Sequence, residues 1–185
     1  MCEDQTVYNH QTAIAVLGSK DEPSDATRSL ATRLVRELCE SGYVTITSDE
    51  HGCLQDMVRA NQNANGVLVL TSADAASKHE GVKVIQASTI LGRLEAILRT
   101  ADAVVITEGD LQSLAVLFEV WSYGSSPNLP FRPLILLGEH WPTGLDALTK
   151  SGWISETEQA MVTTASTVKE AVESLRYYAG AGNGR

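Results

Sequence analysis

The sequence predicts an α/β domain, with one doubly wound, mostly parallel β-sheet and helices on both faces. Three observations carry this expectation. Short apolar runs alternate with amphipathic stretches of helical period, the signature of successive βαβ units. The runs are nearly continuous in apolar residues rather than alternating, so both faces of their sheet must be covered. A chain of 185 residues suits one compact domain, able to bury about 70% of the surface it exposes when unfolded.

The elements follow in order. Ala13–Leu17 is a short apolar run ended by the Gly18-Ser19 turn, hence a buried strand. In the next stretch Ser24 or Asp25 can cap a helix. Leu30, Leu34 and Leu38, with Ala31 and Val35, form its apolar stripe, and Gly42 closes it. Residues 43–47 (YVTIT) are β-branched and aromatic and make a second strand. The polar turn 48–52 leads into a helix from about Cys53 to Asn63, and VLVL at 67–70 is a third strand. A polar loop (71–81) precedes a fourth strand at 82–86, after which Ile90, Leu91, Leu94, Ile97 and Leu98 mark a helical stripe. A fifth strand at 103–107 is followed by a helix over Leu111–Trp121, and a sixth strand by a short helix near Leu145–Leu148. That sixth strand spans 132–138. A strand-like segment at 160–164 and an amphipathic helix over Val168–Tyr177 complete the pattern. Residues 1–11 read as a flexible N-terminus, 12–178 as one Rossmann-like domain and 179–185 (AGAGNGR) as a disordered tail.

Composition narrows the partners. Lys+Arg 14 against Asp+Glu 23 gives a net charge of −9, with no basic cluster along the sequence. That balance disfavours nucleic acid and anionic membrane surfaces, whose affinity comes mostly from Lys and Arg. Runs such as Val67–Leu70 and Leu134–Leu137 fall far short of the roughly 20 residues of a bilayer span. The polar, acidic N-terminus resembles neither a signal nor a transit peptide. Cys2, Cys39 and Cys53 are odd in number and widely spaced, as expected of reduced thiols in a cytoplasmic protein. Four scattered histidines (His10, His51, His79, His140) make no metal motif, so no metal and no cofactor are expected.

In a doubly wound sheet, ligands sit beyond the carboxyl ends of the strands. Gly18-Ser19 could bring backbone and hydroxyl against a phosphate, although Gly-Ser is equally an ordinary turn. Asp49, Glu50 and His51 could hold a metal or move protons, and otherwise form a solvated loop. There is no G-x-G-x-x-G, no G-x-x-x-x-G-K-[ST] and no G-x-S-x-G. Taken alone, Arg93 reads as a surface residue.

Several segments together resemble the Lonely-Guy family, long mislabelled as lysine decarboxylases. They are AVLGS (15–19), GYVTIT (42–47), Ile90-x-x-Arg93 running into ADAVVI (101–106), LFEVW (117–121) and the late Gly152-Trp153-Ile154 element. The resemblance spans about Ala13 to Tyr178 and implies a Rossmann-like homodimer that releases a free base from a nucleoside 5′-monophosphate. The signature motifs are degenerate. The family's G-G-G-x-x-G-L-M-G falls on residues 47–55, where Gly52 alone stays in place. Its P-G-G-x-G-T-x-x-E falls on residues 108–116: Gly109 matches, Asp110 and Gln112 replace glycines, and Ser113 stands for threonine. Val116 occupies the position of the catalytic glutamate. The arginine of M-x-x-R-K maps onto Arg93, with Leu94 at the lysine.

These departures have chemical consequences. Side chains in place of glycines narrow a phosphate cradle, and Asp110 would repel a phosphate seated there. Glycosidic cleavage passes through an electron-poor sugar that needs a nearby carboxylate, and losing such a group lowers rates by about two to four orders of magnitude. Three functions follow. A binding protein would hold a nucleoside monophosphate or related phosphate ligand through Gly18, Ser19, Gly52, Arg93, Gly109 and Ser113. A divergent N-glycosidase would work with Arg93 and a displaced carboxylate, Glu119 first, or else Glu108 or Asp110. A regulatory dimer would take no ligand. The helix over Leu111–Trp121 is apolar almost all round, as expected of a helix buried on more than one side, and implies a dimer face.

Overall fold

The computed structural model describes residues 12–18, 24–48, 67–70, 83–87, 89–107, 110–124 and 132–182. Seven strands form one sheet: β1 (Ala13–Leu17), β2 (Val44–Ser48), β3 (Val67–Leu70), β4 (Lys83–Gln86), β5 (Ala103–Thr107), β6 (Leu134–Leu137) and β7 (Val162–Ala165). Their order is β4-β3-β2-β1-β5-β6-β7, and every adjacent pair is parallel. The chain enters at the centre, winds outward to β4, returns beside β1 as β5, and winds outward again to β7. The winding therefore reverses between β1 and β5, which run in register from Ile14↔Ala103 to Leu17↔Ile106.

The described helices are α1 (Asp25–Glu40), α2 (Ile90–Thr100), α3 (Leu111–Gly124), α4 (Trp141–Lys150), the single turn α5 (Glu156–Gln159) and α6 (Val168–Gly182). They sort to the two faces of the sheet through the alternation of the strands. Ala15 and Leu17 of β1, with Val104 and Ile106 of β5, pack against Leu94 and Ile97 of α2, Leu117 and Val120 of α3, and Leu145 of α4. Ile14 and Val16, with Val105 and Ile135, pack against Leu34 and Leu38 of α1 and Val172 and Leu175 of α6. The central strands are buried along their whole length, as their unbroken apolar runs require.

Local signals set the helix ends. The Ser24 side chain accepts the Thr27 amide at 3.1 Å and caps α1. At the other end Gly42 takes φ +80°. Its N–H donates to Cys39 and that of Tyr43 to Leu38, each at 3.0 Å, a Schellman closure that favours glycine. The same closure recurs after α4, where Gly152 has φ +76° and the amides of Gly152 and Trp153 bond to Thr149 and Leu148. The Gly-Trp element of the sequence is thus a helix stop. Asp102 of the ADAVVI segment is also structural: its carboxylate accepts the Ala13 amide at 2.9 Å, while its own N–H donates to Ala13 at 2.7 Å. This latch joins β5 to the start of β1 at the edge of the sheet away from the carboxyl ends.

Several boundaries differ from expectation. The second strand lies one residue later, the helix around Leu145 spans Trp141–Lys150, and the last helix continues to Gly182. The turn α5 was not anticipated, although Ser155-x-x-Glu158 is a capping box in which each side chain satisfies the other's backbone amide. The helix expected at Cys53–Asn63 lies outside the described residues, as do residues 1–11 and 183–185. Burial, with the neighbouring Glu40 charge, raises the pKa of the Cys39 thiol.

Candidate functional site

Because all seven strands are parallel, their carboxyl ends share one edge, and the reversal between β1 and β5 marks its centre. Gly18 leaves β1 there beside Thr107, the last residue of β5. The Thr107 hydroxyl donates to the Leu17 carbonyl at 3.3 Å in a buried contact. A Cβ at Gly18 would overlap that same hydroxyl, so the glycine is required by the packing of the two strand ends. Ser19, Gly52, Glu108 and Gly109 lie outside the described residues, as do Asp49, Glu50 and His51.

Helices α2 and α3 each begin at this edge. Arg93 sits in the first turn of α2 and is only 4% exposed. This corrects the expectation of a surface residue. Arg93 falls three residues after Ile90 and four before Ile97, so helical geometry puts it in line with the face that packs on the sheet. An arginine interrupting an apolar i, i+3, i+7 stripe was the signal available in the sequence. Taking a guanidinium out of water is costly without compensating polar interactions, so a buried arginine must be held by them. Leu94, at the family's lysine position, is part of the apolar core.

The start of α3 carries the most specific geometry. The Asp110 carboxylate accepts the amides of Gln112 and Ser113 at 2.9 and 3.2 Å. Expected to repel a phosphate by charge, Asp110 acts more directly, because it already occupies two of the amides an anion would use. Thr89 does likewise for α2, accepting the Gly92 amide at 2.9 Å. One turn into α3, the Ser113 hydroxyl is 1% exposed and has no hydrogen-bond partner. The hydroxyl of Thr47, near the carboxyl end of β2, is likewise buried without a partner. Buried hydroxyls left unsatisfied are uncommon and call for an explanation.

Val116, which the resemblance places at the glutamate position, is 6% exposed and packs in the apolar cluster of α2, α3 and α4. Glu119 is half-buried on the same helix. It lies six residues beyond Ser113, about 9 Å further along the axis and away from the strand ends. Helix α3 also presents an uncovered apolar stripe: Leu111 is 80% exposed, and Leu114 and Phe118 are exposed beside it. The Phe118 ring stacks on Trp121 with centroids 6.5 Å apart. The helix expected to be buried on several sides is therefore covered on one within a single chain. Among the described residues no three His, Cys, Asp or Glu side chains gather as a metal site, and no helix is long and apolar enough to cross a membrane.

Comparisons with known proteins agree with this architecture. The model of the family described as possible lysine decarboxylase matches residues 51–175. Among solved structures, the molybdenum cofactor carrier protein of Chlamydomonas reinhardtii is similar with a TM-score of 0.72 at 15% identity, over 92% of this chain and 99% of that one. The molybdenum cofactor binding protein of Rippkaea orientalis matches with a TM-score of 0.69 at 15% identity, over 91% and 98% of the two chains. DNA processing protein A of Helicobacter pylori, described by its single-stranded DNA binding, matches at 0.61 and 15% identity, over 90% of this chain and 80% of that one. At these identities the likeness concerns the fold. No curated protein sequence matches the chain.

Proposed function

The chain belongs to the family described as possible lysine decarboxylase, and from that premise we propose a protein that binds or carries a nucleoside monophosphate or related phosphate-bearing molecule without hydrolysing it. The observation that carries this reading is the first turn and a half of α3. Ser113 keeps a hydroxyl buried and without a partner at the strand ends, while the carboxylate position three residues on is filled by core-packed Val116. The site retains a group able to bond a ligand and has lost the group that would stabilise an electron-poor sugar.

The ligand would lie across the carboxyl ends of β1 and β5, with Arg93 supplying positive charge and Ser113 a hydrogen bond. Ser19, Gly52 and Gly109 belong to the proposed contact set through their motif positions. With the α3 amides engaged by Asp110, the phosphate would be held by side chains rather than by a glycine-lined backbone cradle. The carrier and binding proteins among the structural neighbours support a role in holding a small molecule. The functional unit in this reading is a cytoplasmic homodimer joined through the exposed stripe of α3.

The test is thermal denaturation with nucleoside monophosphates, molybdenum cofactor and inorganic phosphate, with base release assayed in parallel. A ligand at about 100 times its Kd contributes about 2.7 kcal/mol, which raises Tm by about 5–10 °C for a domain of this size. The expected result is such a shift without base release, lost in Ser113→Ala and reduced in Arg93→Lys. Base release abolished by Glu119→Gln would establish the N-glycosidase instead. No shift with any ligand would leave the ligand-free dimer.

A further inference from the structure

Helices α1 and α6 pack side by side on the face of the sheet opposite α3, and the open groove between them has a volume of about 510 Å³. Its floor is apolar, formed by Val168 and Val172, and its walls carry Arg33 and Arg36 from α1 and Lys169 and Arg176 from α6. The whole chain has only 14 Lys and Arg and a net charge of −9, yet four of these cations line one groove. Two carboxylates share it, Glu37 and Glu173, leaving a local excess of two positive charges. No basic cluster is visible along the sequence because the two halves of this one lie more than 130 residues apart.

Part of the arrangement has a structural explanation. Arg176 donates to the Ser41 hydroxyl at 3.2 Å, at the end of α1 where the helix dipole favours a cation. Lys169 lies 3.9 Å from Glu173. Arg33 and Arg36 have a weaker account: Glu37 and Glu40 lie four residues on from each, at the spacing of a helical charge pair. The two arginines sit in the body of α1 one turn apart, a like-charge spacing that weakens a helix. The ion pairs Glu95–Arg99, Asp102–Arg132 and Lys169–Glu173 do not engage them. An anion seated between them would turn this repulsion into attraction.

We propose that the α1–α6 groove is a second binding site, which takes a small molecule carrying at least one phosphate and an apolar portion. The volume falls within the roughly 300–1,000 Å³ of small-molecule sites. Planar guanidiniums match phosphate oxygens bidentately and hold such an anion better than ammonium groups do. The valine floor accommodates the apolar portion. This site is separate from the one at the strand ends and does not depend on the function proposed for that edge.

The experiment titrates inorganic pyrophosphate into the ¹⁵N-labelled full chain, followed by amide shifts and calorimetry, with citrate and a poly-glutamate peptide as parallel probes. The expected result is perturbation of residues 33–37 and 168–176, and at least tenfold weaker binding in the double variant Arg33→Gln/Arg36→Gln. Both side chains are exposed, so circular dichroism of that variant should match the parent, and Arg176→Gln provides a second test from the facing helix. The proposal is overturned if pyrophosphate does not bind, if shifts centre on Gly18, Thr107 and Ser113, or if the double variant binds like the parent. Citrate binding as tightly as pyrophosphate would overturn the preference for phosphate. Binding of poly-glutamate alone would make the groove a protein-docking surface instead.

Discussion

A single aspartate closes the most obvious anion site of the fold. By accepting the Gln112 and Ser113 amides, Asp110 supplies internally the negative charge that the positive end of α3 attracts. Replacing it with alanine removes a cap and should lower stability by about 1 kcal/mol. The same change frees the Gln112 amide and leaves the Ser113 amide only its 3.1 Å bond to the Asp110 carbonyl, so affinity for a nucleoside monophosphate should rise. Urea denaturation and thermal shift on Asp110→Ala measure the two effects, and weaker ligand binding in the variant would refute this role. From the sequence Asp110 has only its charge, which implies repulsion, because a carboxylate's partners depend on where the next two amides point. Arg93 was harder still. Its burial comes from the packing of α2 on the sheet, and only its place in the Ile90–Ile97 stripe hinted at it.

Among the elements, α1 was the most legible, since its start, stripe and stop are all local: Ser24, the Leu34–Leu38 face and Gly42. The turn α5 shows the same local logic on a smaller scale. The Glu158 carboxyl is held below its ordinary 4.5, first by the Ser155 backbone N–H and then by the Ser155 hydroxyl. Since the folded value lies below the unfolded one, the cap's contribution is complete above 4.5 and is lost as pH falls through the folded value. A carbon-detected NMR titration of Glu158 should show a midpoint below 4.5, and Ser155→Ala should move it only part of the way back, because the backbone donor remains. A midpoint of 4.5 or above in the parent would contradict the capping geometry.

On the scale of the whole molecule, the two faces of the sheet carry different surfaces. Helix α3 shows an uncovered apolar stripe of Leu111, Leu114 and Phe118 on one face, and the basic groove lies on the other. Apolar side chains exposed in a row along one helix mark an association surface. Light scattering at micromolar concentration should therefore give a dimer mass, and Phe118→Asp should give a monomer with an unchanged circular dichroism spectrum. A monomeric parent would remove the dimer from the proposed function. Pyrophosphate binding in the α1–α6 groove should survive Phe118→Asp, since pairing through α3 leaves the opposite face open.

By itself the sequence determined the α/β class, the succession of the seven strands along the chain and the capped start and glycine stop of α1. Each of these is written in residues close together along the chain, as a period or a cap. Tertiary structure alone decided the strand order, the latch from Asp102 to Ala13 and the fit of Gly18 against Thr107. It alone decided the burial of Arg93 and Ser113, and the meeting of Arg33 and Arg36 with Lys169 and Arg176. These depend on partners far apart in the chain, and a polar residue's environment follows from which distant surfaces pack against it rather than from its neighbours in sequence.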